Sequence, residues 1–428
     1  MLRNILLGVG VFATVLSILI FSGKIPLGKK AEQAAGTVVL WGTLPDAQMS
    51  AITQAFNPQA KTYSVRYKYI PEATFNQQLL EALASGTGPD MIIAPYQTIL
   101  SQSARLYPFP IAEKNFKDLY VDGASVLYSG NGAYALPVSI EPMVLFYNRT
   151  LFSKHGIVNP PAYWDEIVTI APTLTIRQNG TFAESAIALG TPGTAYAKDI
   201  MMSIVSQLGQ SPVITVPGQL GNSFYSVQVN EPVTEGSEVL PLSTAARFFT
   251  QFGDPGQNTF TWSDSLGDAA DIFVGEKLAM YIGYSGEFPA LRSRNPRAEL
   301  EMTYLPQTRG YNTFSMGMRM YAIGTLKSTK NPQAALTAAS QFAGAGVSPS
   351  IAAIVGAVPA LRAYAGTSGL DPVVARSMLV ARGWLDLYAN QSDLYMQTMI
   401  ADLINYRYGV SDATSIFVSR LRDLYAKK

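Results

Sequence analysis

The side chains that most often carry enzymatic chemistry are scarce in this chain of 428 residues. It has no cysteine, which excludes disulfides, thiol nucleophiles and cysteine-ligated zinc. Its one histidine, His155, lies in the run LFSKHGI near a predicted helix end, where the helix dipole or simple exposure accounts for it. Because zinc sites and serine–histidine triads usually need histidine, neither is expected.

Acidic residues leave one enzymatic route open. A glycosidase needs only two carboxylates at a suitable separation, and the chain has 30 aspartates and glutamates. No motif places two of them together at the ends of predicted strands. The sequence therefore predicts a protein that is not an enzyme and that needs no cofactor or metal ion. A calcium site built from carbonyl and carboxylate oxygens is the one metal site that this pattern would not reveal.

Aromatic residues are abundant, with 23 tyrosines and four tryptophans. Tyrosine suits polar ligand cavities because its ring is apolar and its hydroxyl is polar, although many of these rings will pack in the core. Trp41 lies at the end of the first predicted strand and Tyr96 follows the third. Since ligands bind at the carboxyl ends of the strands in a parallel sheet, both residues are candidate ligand contacts.

The charges of the chain balance, with 31 basic residues against 30 acidic ones. A nucleic-acid-binding protein needs a net basic surface to displace the counterions of the phosphates, and no basic cluster occurs here. Hydrophobic residues make up 48% of the chain and charged residues 14%, which is the composition of a folded protein. The length suffices for two or three domains, and no nucleic-acid partner is predicted.

The N-terminus begins with an uncharged hydrophobic run over residues 5–21, between Arg3 and Lys24. As a helix it would be roughly 25 Å long at about 1.5 Å per residue, close to the roughly 30 Å of a bilayer's hydrocarbon core. No small-residue cleavage site follows it directly, since Ala34-Ala35-Gly36 is distant. We therefore expect residues 1–35 to be an uncleaved membrane anchor with a polar linker, and a cleaved signal peptide is the alternative.

Strand and helix patterns alternate in the first part of the folded chain. Strands are predicted at residues 37–43, 63–70 and 90–94. Between them, one helix is predicted to start at Pro45 and another to span residues 75–84. This order implies a parallel sheet covered by helices. The third strand is apolar after its first residue, so we expect it at the centre of the sheet.

The later part of the chain is predicted to be mostly helical. Residues 209–240 are rich in glycine, proline, valine and serine, which favours loops or a hairpin. The remaining predicted elements are strands at 134–147 and 277–282, helices at 148–155, 164–170, 244–252 and 269–274, and helices throughout the region after residue 331 with breaks near 356–359, 366–372 and 409.

Five short motifs occur in the order that is typical of one protein family. They are FNQQLLEALASGTGPD at 75–90, ALPVSIEPMVLFYN at 135–148, PPAYWDE at 160–166, FVGEKLAM at 273–280 and GAVP at 356–359. Each alone is mostly a pattern of helix, turn or strand. Together with a terminal helix at 413–424, they make the chain resemble the family 1 extracellular solute-binding proteins, the maltose-binding-like receptors of ABC importers. The resemblance covers residues 36–428.

The resemblance implies an α/β fold of two lobes that close on a ligand about a hinge, a Venus-flytrap arrangement. Lobe 1 would hold residues 36–138 and 308–355, and lobe 2 residues 139–307 and 356–428. The hinge segments would lie near residues 139–141, 304–307 and 356–359. The implied protein is a monomeric receptor on the outer face of the cell membrane, which delivers a ligand to the permease subunits of an ABC importer.

The ligand expected from the resemblance is small and neutral, a sugar or an oligosaccharide, because no cluster of arginine or lysine lies near the expected cleft. One departure concerns attachment to the membrane. Gram-positive members usually carry a lipid-anchored cysteine, and here the hydrophobic N-terminal run would replace it. A membrane-anchored glycosidase and a non-catalytic envelope scaffold are the alternative functions.

Six residues are candidate ligand contacts: Trp41, Tyr96, Glu141, Trp262, Tyr284 and Trp384. The resemblance places Glu141 in a hinge strand, where it would either accept hydrogen bonds from sugar hydroxyls or hold the hinge. It places Tyr284 after the strand at 277–282, facing the ligand. Trp41 would stack on a sugar ring or pack beneath the lobe, and the contexts of Trp262 and Trp384 favour the cleft. Trp164 at a helix start and Asp90 before a strand are expected to be structural.

Overall fold

The computed structural model describes residues 36–60, 62–130, 132–217, 223–234 and 236–426. The hydrophobic run and linker in residues 1–35 lie outside this part, so the membrane anchor stays a prediction. Within the described residues, no helix combines the length and the apolar character that crossing a membrane requires.

The strands of the described residues are numbered in chain order. They are β1 Gly36–Gly42, β2 Tyr63–Tyr69, β3 Met91–Pro95, β4 Tyr128–Ser129, β5 Gly132–Ala133, β6 Leu136–Asn148, β7 Ile176–Gln178, β8 Thr181–Ile187, β9 Val213–Pro217, β10 Ser223–Val227, β11 Leu278–Tyr284, β12 Leu300–Tyr304, β13 Met318–Thr325 and β14 Val358–Pro359.

The α-helices of the described residues are numbered in the same way. They are α1 Asp46–Phe56, α2 Glu72–Ala84, α3 Tyr96–Ser101, α4 Glu113–Leu119, α5 Arg149–Lys154, α6 Trp164–Leu174, α7 Ala197–Gln207, α8 Pro241–Thr250, α9 Ala269–Val274, α10 Phe288–Arg294, α11 Pro332–Phe342, α12 Ser348–Ile354, α13 Pro372–Val380, α14 Ala389–Ile404 and α15 Val410–Tyr425.

Strands β2, β1, β3 and β13 form what we call the first half-sheet. Strand β1 lies between β2 and β3 and is parallel to both, as the alternating pattern predicted. Strand β3 is central, also as predicted, because β13 pairs with its other edge. Strand β13 is antiparallel to β3 and comes from much later in the chain, and the sequence did not predict it.

Strand β6 connects the first half-sheet to the rest of the molecule. Its beginning pairs with β13 and β14, and its end, from Met143 to Asn148, pairs with β11 and β12. All 13 of its residues except Tyr147 are buried. The three predicted hinge segments lie on this strand or beside its partners β12 and β14. The lobe boundaries themselves stay a prediction.

Strands β11, β8, β7 and β12 form the second half-sheet. Strand β8 is parallel to β11, with Ser185 opposite Leu278, and antiparallel to β7. Strands β9 and β10 form a separate antiparallel hairpin in the region where loops or a hairpin were predicted. Helices α11 to α15 occupy the predicted helical region, and the short strand β14 lies at one of its predicted breaks.

Prolines and side-chain caps determine where several helices begin. Helix α2 begins at Glu72, directly after Pro71 and three residues earlier than predicted. The carboxylate of Glu72 lies in the first turn, where it interacts favourably with the helix dipole. The side chain of Asp371 accepts a hydrogen bond from the Val373 N–H at 2.7 Å and so caps α13, which starts with Pro372.

Candidate functional site

A cavity of about 720 Å³ lies where β6 passes between the two half-sheets, and we call it the first cavity. Its walls come from strands of the first half-sheet, from the middle of β6, from helix starts and from connecting segments. The first half-sheet and its helices contribute Glu72, Gln97, Thr98, Arg319 and Tyr321, strand β6 contributes Ser139 and Glu141, and the rest of the wall includes Asp199, Tyr284, Gly286, Glu287 and residues 387–391.

Arg319 presents its guanidinium group to this cavity over two aromatic rings. The guanidinium carbon lies 4.1 Å from the ring centre of Tyr284 and 4.6 Å from that of Tyr196, and the two rings meet edge to face. Such cation–π contacts hold the cation in place at the cavity wall. Tyr196 adopts a positive φ of 58°, which is uncommon for a residue with a side chain.

Glu141 connects three segments of the chain at the base of the first cavity. Its carboxylate accepts a hydrogen bond from the Gly286 N–H at 3.1 Å and lies 4.0 Å from the guanidinium of Arg319. Burial raises the pKa of Glu141 to about 7, with Arg319 opposing the increase and Glu287 adding to it. Near neutral pH this carboxyl group is therefore present in both protonation states, so it can donate as well as accept hydrogen bonds.

Gly286 has no room for a side chain. A Cβ atom at this position would lie 2.5 Å from the carbonyl oxygen of Gly356 and 2.7 Å from the carboxylate of Glu141. The turn after β11 therefore touches both β6 and the segment that leads into β14. These contacts pack two of the predicted hinge segments directly against a wall of the first cavity.

Tyr284 is fully buried at the end of β11 and is held by two acidic groups. Its hydroxyl donates to Asp199 at 2.7 Å, and its backbone N–H donates to Glu287 at 2.9 Å. Glu287 also accepts from the hydroxyl of Tyr281 at 3.0 Å. Burial raises the pKa of Tyr284 well above its usual value, so the phenol stays protonated and remains a donor.

Lys198 anchors the segment that closes the other side of the first cavity. Its ammonium group donates to the Asp386 carboxylate at 2.9 Å, to the Ala389 carbonyl at 2.9 Å and to the Ser392 hydroxyl at 3.0 Å. Lys198, Asp386 and Ser392 are all buried. The ion pair therefore fixes the position of residues 387–391, which line the cavity.

The structure brings only two of the six predicted contacts, Glu141 and Tyr284, to the first cavity. Trp384 lines a different cavity, described below. Trp41 lies under the ammonium group of Lys68, 4.2 Å from its ring centre, and lines neither cavity. Tyr96 is 2% exposed and packs against Gly383.

Trp262 also lies away from both cavities, although its loop context favoured the cleft. It is 2% exposed in an apolar cluster with Val144, Phe146, Phe273 and Leu278. The loop that carries it folds back onto the second half-sheet, so the ring packs in the core. The sequence could not show this placement, because no local signal shows which way such a loop folds.

Sequence reasoning missed Arg319, Tyr321, Glu287 and Tyr388 in the first cavity. The first two lie on β13, which was not predicted. Trp164 is structural, as expected, since its indole N–H donates to Gln207 at 2.7 Å in the interior. His155 pairs with Glu184 at 2.8 Å, and within the described residues no group of three or more potential metal ligands of the histidine, cysteine, aspartate or glutamate type comes together.

Comparison with curated proteins identifies distant relatives. A Brucella abortus protein that is named a binding protein, without a stated ligand, is 25% identical over 143 residues, which are 32% of this chain and 34% of that protein. The chain thus matches about a third of the length of that relative. The multiple sugar-binding protein of Streptococcus mutans is 21% identical over 290 residues, 67% of this chain and 65% of that protein.

Comparison with solved structures establishes the fold. The cyclic α-maltosyl-1,6-maltose binding protein of Arthrobacter globiformis superposes with a TM-score of 0.72 at 16% identity, over 92% of this chain and all of that one. The predicted two-lobed α/β fold of periplasmic binding proteins is thereby confirmed. A family model described as bacterial extracellular solute-binding protein matches residues 51–361. The chain belongs to this family of bacterial extracellular solute-binding proteins, which act outside the cytoplasm.

Proposed function

We propose that the chain captures a small, uncharged, polyhydroxylated solute, a sugar or an oligosaccharide, in the first cavity and delivers it to an ABC-type importer. The position of Glu141 carries this proposal. Its carboxyl group faces the first cavity from the strand that both half-sheets share, and it contacts the turn after β11. A solute bound to it would contact both halves of the molecule at once. The sugar-binding relatives and structural neighbours support the solute class.

The charges around the first cavity favour a neutral solute over an anionic one. Glu72, Glu141, Asp199 and Glu287 face a single guanidinium, that of Arg319. An anion would meet this excess of carboxylates, whereas sugar hydroxyls can donate to them and accept from Arg319. The rings of Tyr321 and Tyr388 supply flat apolar surfaces for the C–H faces of a sugar.

The proposed mechanism is closure of two lobes about the hinge, with lobe 1 at residues 36–138 and 308–355 and lobe 2 at 139–307 and 356–428. A ligand shifts the equilibrium between open and closed forms only through its higher affinity for the closed form. The receptor would act as a monomer held at the outer face of the membrane by residues 1–35, with the importer's permease subunits as partners. It would bind its solute without transforming it.

Titration calorimetry of the full chain with maltotriose, mannotriose and raffinose, combined with chromatography of the mixtures, tests this function. Saturable heat with intact sugar is the expected result. Cleaved sugar would make the protein a glycosidase, and absence of binding to all three would favour the scaffold alternative. Glu141→Ala should weaken binding by about 30-fold, equivalent to roughly 2 kcal/mol. Glu113→Ala, at an exposed glutamate paired with Lys117, is the matched control and should bind normally.

A further inference from the structure

A second cavity, of about 1130 Å³, lies apart from the first and shares only Leu387 with it. Its walls come from the region between α3 and β5 on one side and from the end of α7, the β9–β10 hairpin and residues 382–387 on the other. It is slightly larger than the roughly 300–1,000 Å³ of ordinary small-molecule sites. Both cavities are therefore large enough for a solute, and the segment around Leu387 separates them.

Four charged side chains lie in or beside the wall of the second cavity. Its acid, Asp122, is neutralised by Arg362 at 2.7 Å and by Arg382 at 3.6 Å. The ammonium group of Lys327 is occupied by the carbonyl oxygen of Ala104 at 2.8 Å. Two guanidinium groups and one ammonium group thus face one carboxylate, so this wall keeps a net positive charge, and its uncharged groups indicate the class of ligand.

Aromatic rings and hydroxyl groups make up much of the remaining wall. Tyr134, Tyr225 and Trp384 contribute rings, and Ser206 and other serines and threonines contribute hydroxyls. The hydroxyls of Tyr134 and Tyr225 make no hydrogen bond to another described residue, although both side chains are half-buried. Phenols in such positions are available to pair with hydroxyl groups of a ligand.

A chain of three tyrosines connects the second cavity to the first. Tyr225 in the second cavity meets Tyr425 edge to face at 5.5 Å, and Tyr425 meets Tyr388 of the first cavity at 5.4 Å. The buried hydroxyl of Tyr425 donates to the carbonyl of Leu385 and accepts from the Leu387 N–H at 3.2 Å. The same segment therefore forms part of the wall of both cavities.

We propose that the second cavity is an additional binding site for a polyhydroxylated ligand of oligosaccharide size, and that its occupancy alters the affinity of the first cavity through residues 384–388. Thermodynamic linkage makes this effect reciprocal: a solute in the first cavity changes the affinity of the second by the same factor. The proposal of a second site does not rest on the identity of the solute in the first cavity, since the two cavities share only one lining residue.

Fluorine NMR of the full chain labelled with 5-fluorotryptophan tests the second site. Of the four tryptophans, Trp384 lines the second cavity, whereas Trp41, Trp164 and Trp262 line neither cavity. The Trp384 signal is assigned by its absence in Trp384→Phe. Maltotriose, mannotriose and raffinose are the probes. At least one should shift the Trp384 signal saturably by millimolar concentration, and the Trp41 signal should not follow it.

Two filling variants assign the response to its cavity. Thr98→Phe fills the first cavity and should leave a saturable Trp384 shift, and the addition of Ser206→Phe, which fills the second cavity, should abolish that remaining shift. A chain whose Trp384 signal responds to no probe, or whose response is lost in Thr98→Phe, overturns the proposal. If Ser206→Phe does not fold, Ser206→Leu replaces it. Failure of the proposed function has a different signature, namely calorimetric heat that Thr98→Phe does not reduce.

Discussion

The hydroxyl of Tyr284 donates a hydrogen bond to the carboxylate of Asp199 across 2.7 Å. This contact joins the end of β11 to the first turn of α7 behind the first cavity. It also orients the ring over which Arg319 lies. The hydroxyl of Tyr284 thus holds two elements of the cavity wall together, and the face of its ring binds the guanidinium group of Arg319.

Tyr284→Phe should therefore separate stability from binding. Loss of a hydrogen bond to a charged group costs about 1.5–3 kcal/mol of unfolding free energy, whereas the ring under Arg319 is kept. We expect urea unfolding to show this loss and solute affinity to stay within about threefold, or less than 1 kcal/mol. Tyr284→Ala should lose about 3–5 kcal/mol, because it also removes a buried ring. An affinity loss of 30-fold or more in Tyr284→Phe would instead place the hydroxyl on the solute.

The carboxyl group of Glu141 should make stability depend on pH. Its pKa in the folded protein is about 7 and its usual value is 4.5, so between these values the folded state binds more protons than the unfolded state. The free energy of unfolding contributed by this group must then fall as pH rises from 4.5 to 7, by up to about 3 kcal/mol.

Glu141→Gln isolates this contribution, since the amide does not titrate. The difference in unfolding free energy between wild type and variant, measured by urea titration at several pH values, should change in favour of the variant as pH rises over that interval. Glu113→Gln, on an exposed helix, provides the control and should show no such trend. A difference that is independent of pH would contradict the raised pKa.

Removal of one partner of the buried ion pair between Lys198 and Asp386 should strongly lower the free energy of unfolding. Lys198→Met leaves the Asp386 carboxylate buried without its cation, which typically costs about 3–5 kcal/mol. The double variant Lys198→Met with Asp386→Asn should recover part of this loss, because no isolated charge remains. Denaturant unfolding of both variants measures the difference. Equal losses in the single and the double variant would show that packing of the lysine stem, not its charge, holds this segment.

Trp262 and Trp384 form a matched pair for separating core from cavity wall. Trp262→Ala should lower unfolding free energy by about 3–5 kcal/mol, as expected for a buried ring in an apolar cluster, and the protein that remains folded should bind its solute normally. Trp384 is also buried, at 8% exposure, but its ring lines the second cavity, so Trp384→Ala should in addition alter the response of that cavity. Melting temperatures and ligand titrations of the two variants distinguish a core residue from a residue of the cavity wall. Normal melting of Trp262→Ala would contradict its assignment to the core.

Local sequence patterns predicted those helices and strands whose bounds are determined by residues adjacent to them in the chain. Strands β1, β2 and β3 were predicted within one or two residues because apolar runs and turn residues delimit them, and helix α9 was predicted with its observed bounds. Strands β12, β13 and β14 were missed because each is defined by pairing with β6 and not by its own sequence. Their residues become strands where β6, and for β13 also β3, supplies backbone partners.

The candidate site was less predictable than the fold for the same reason. Glu141 and Tyr284 were identified through a family resemblance that extends over both motifs. Arg319 and Tyr321 face the first cavity from β13, so a sequence in which that strand is invisible cannot assign them. Trp41 and Trp262 were expected near a ligand from their positions after strands or in loops, but apolar packing accounts for where they lie.

Strand β13 lies between β3 and β6 but is synthesised long after both, and this affects how the chain folds. Until Met318–Thr325 has been synthesised, β3 and β6 each present an open edge of unpaired N–H and C=O groups. Pairing over such sequence separations is slow, because the closure of a long loop precedes the gain from contacts. A chain made from its N-terminus should thus stay incompletely folded until most of it exists. Fragments that end before Met318 should therefore aggregate through those two edges more readily than the full chain does.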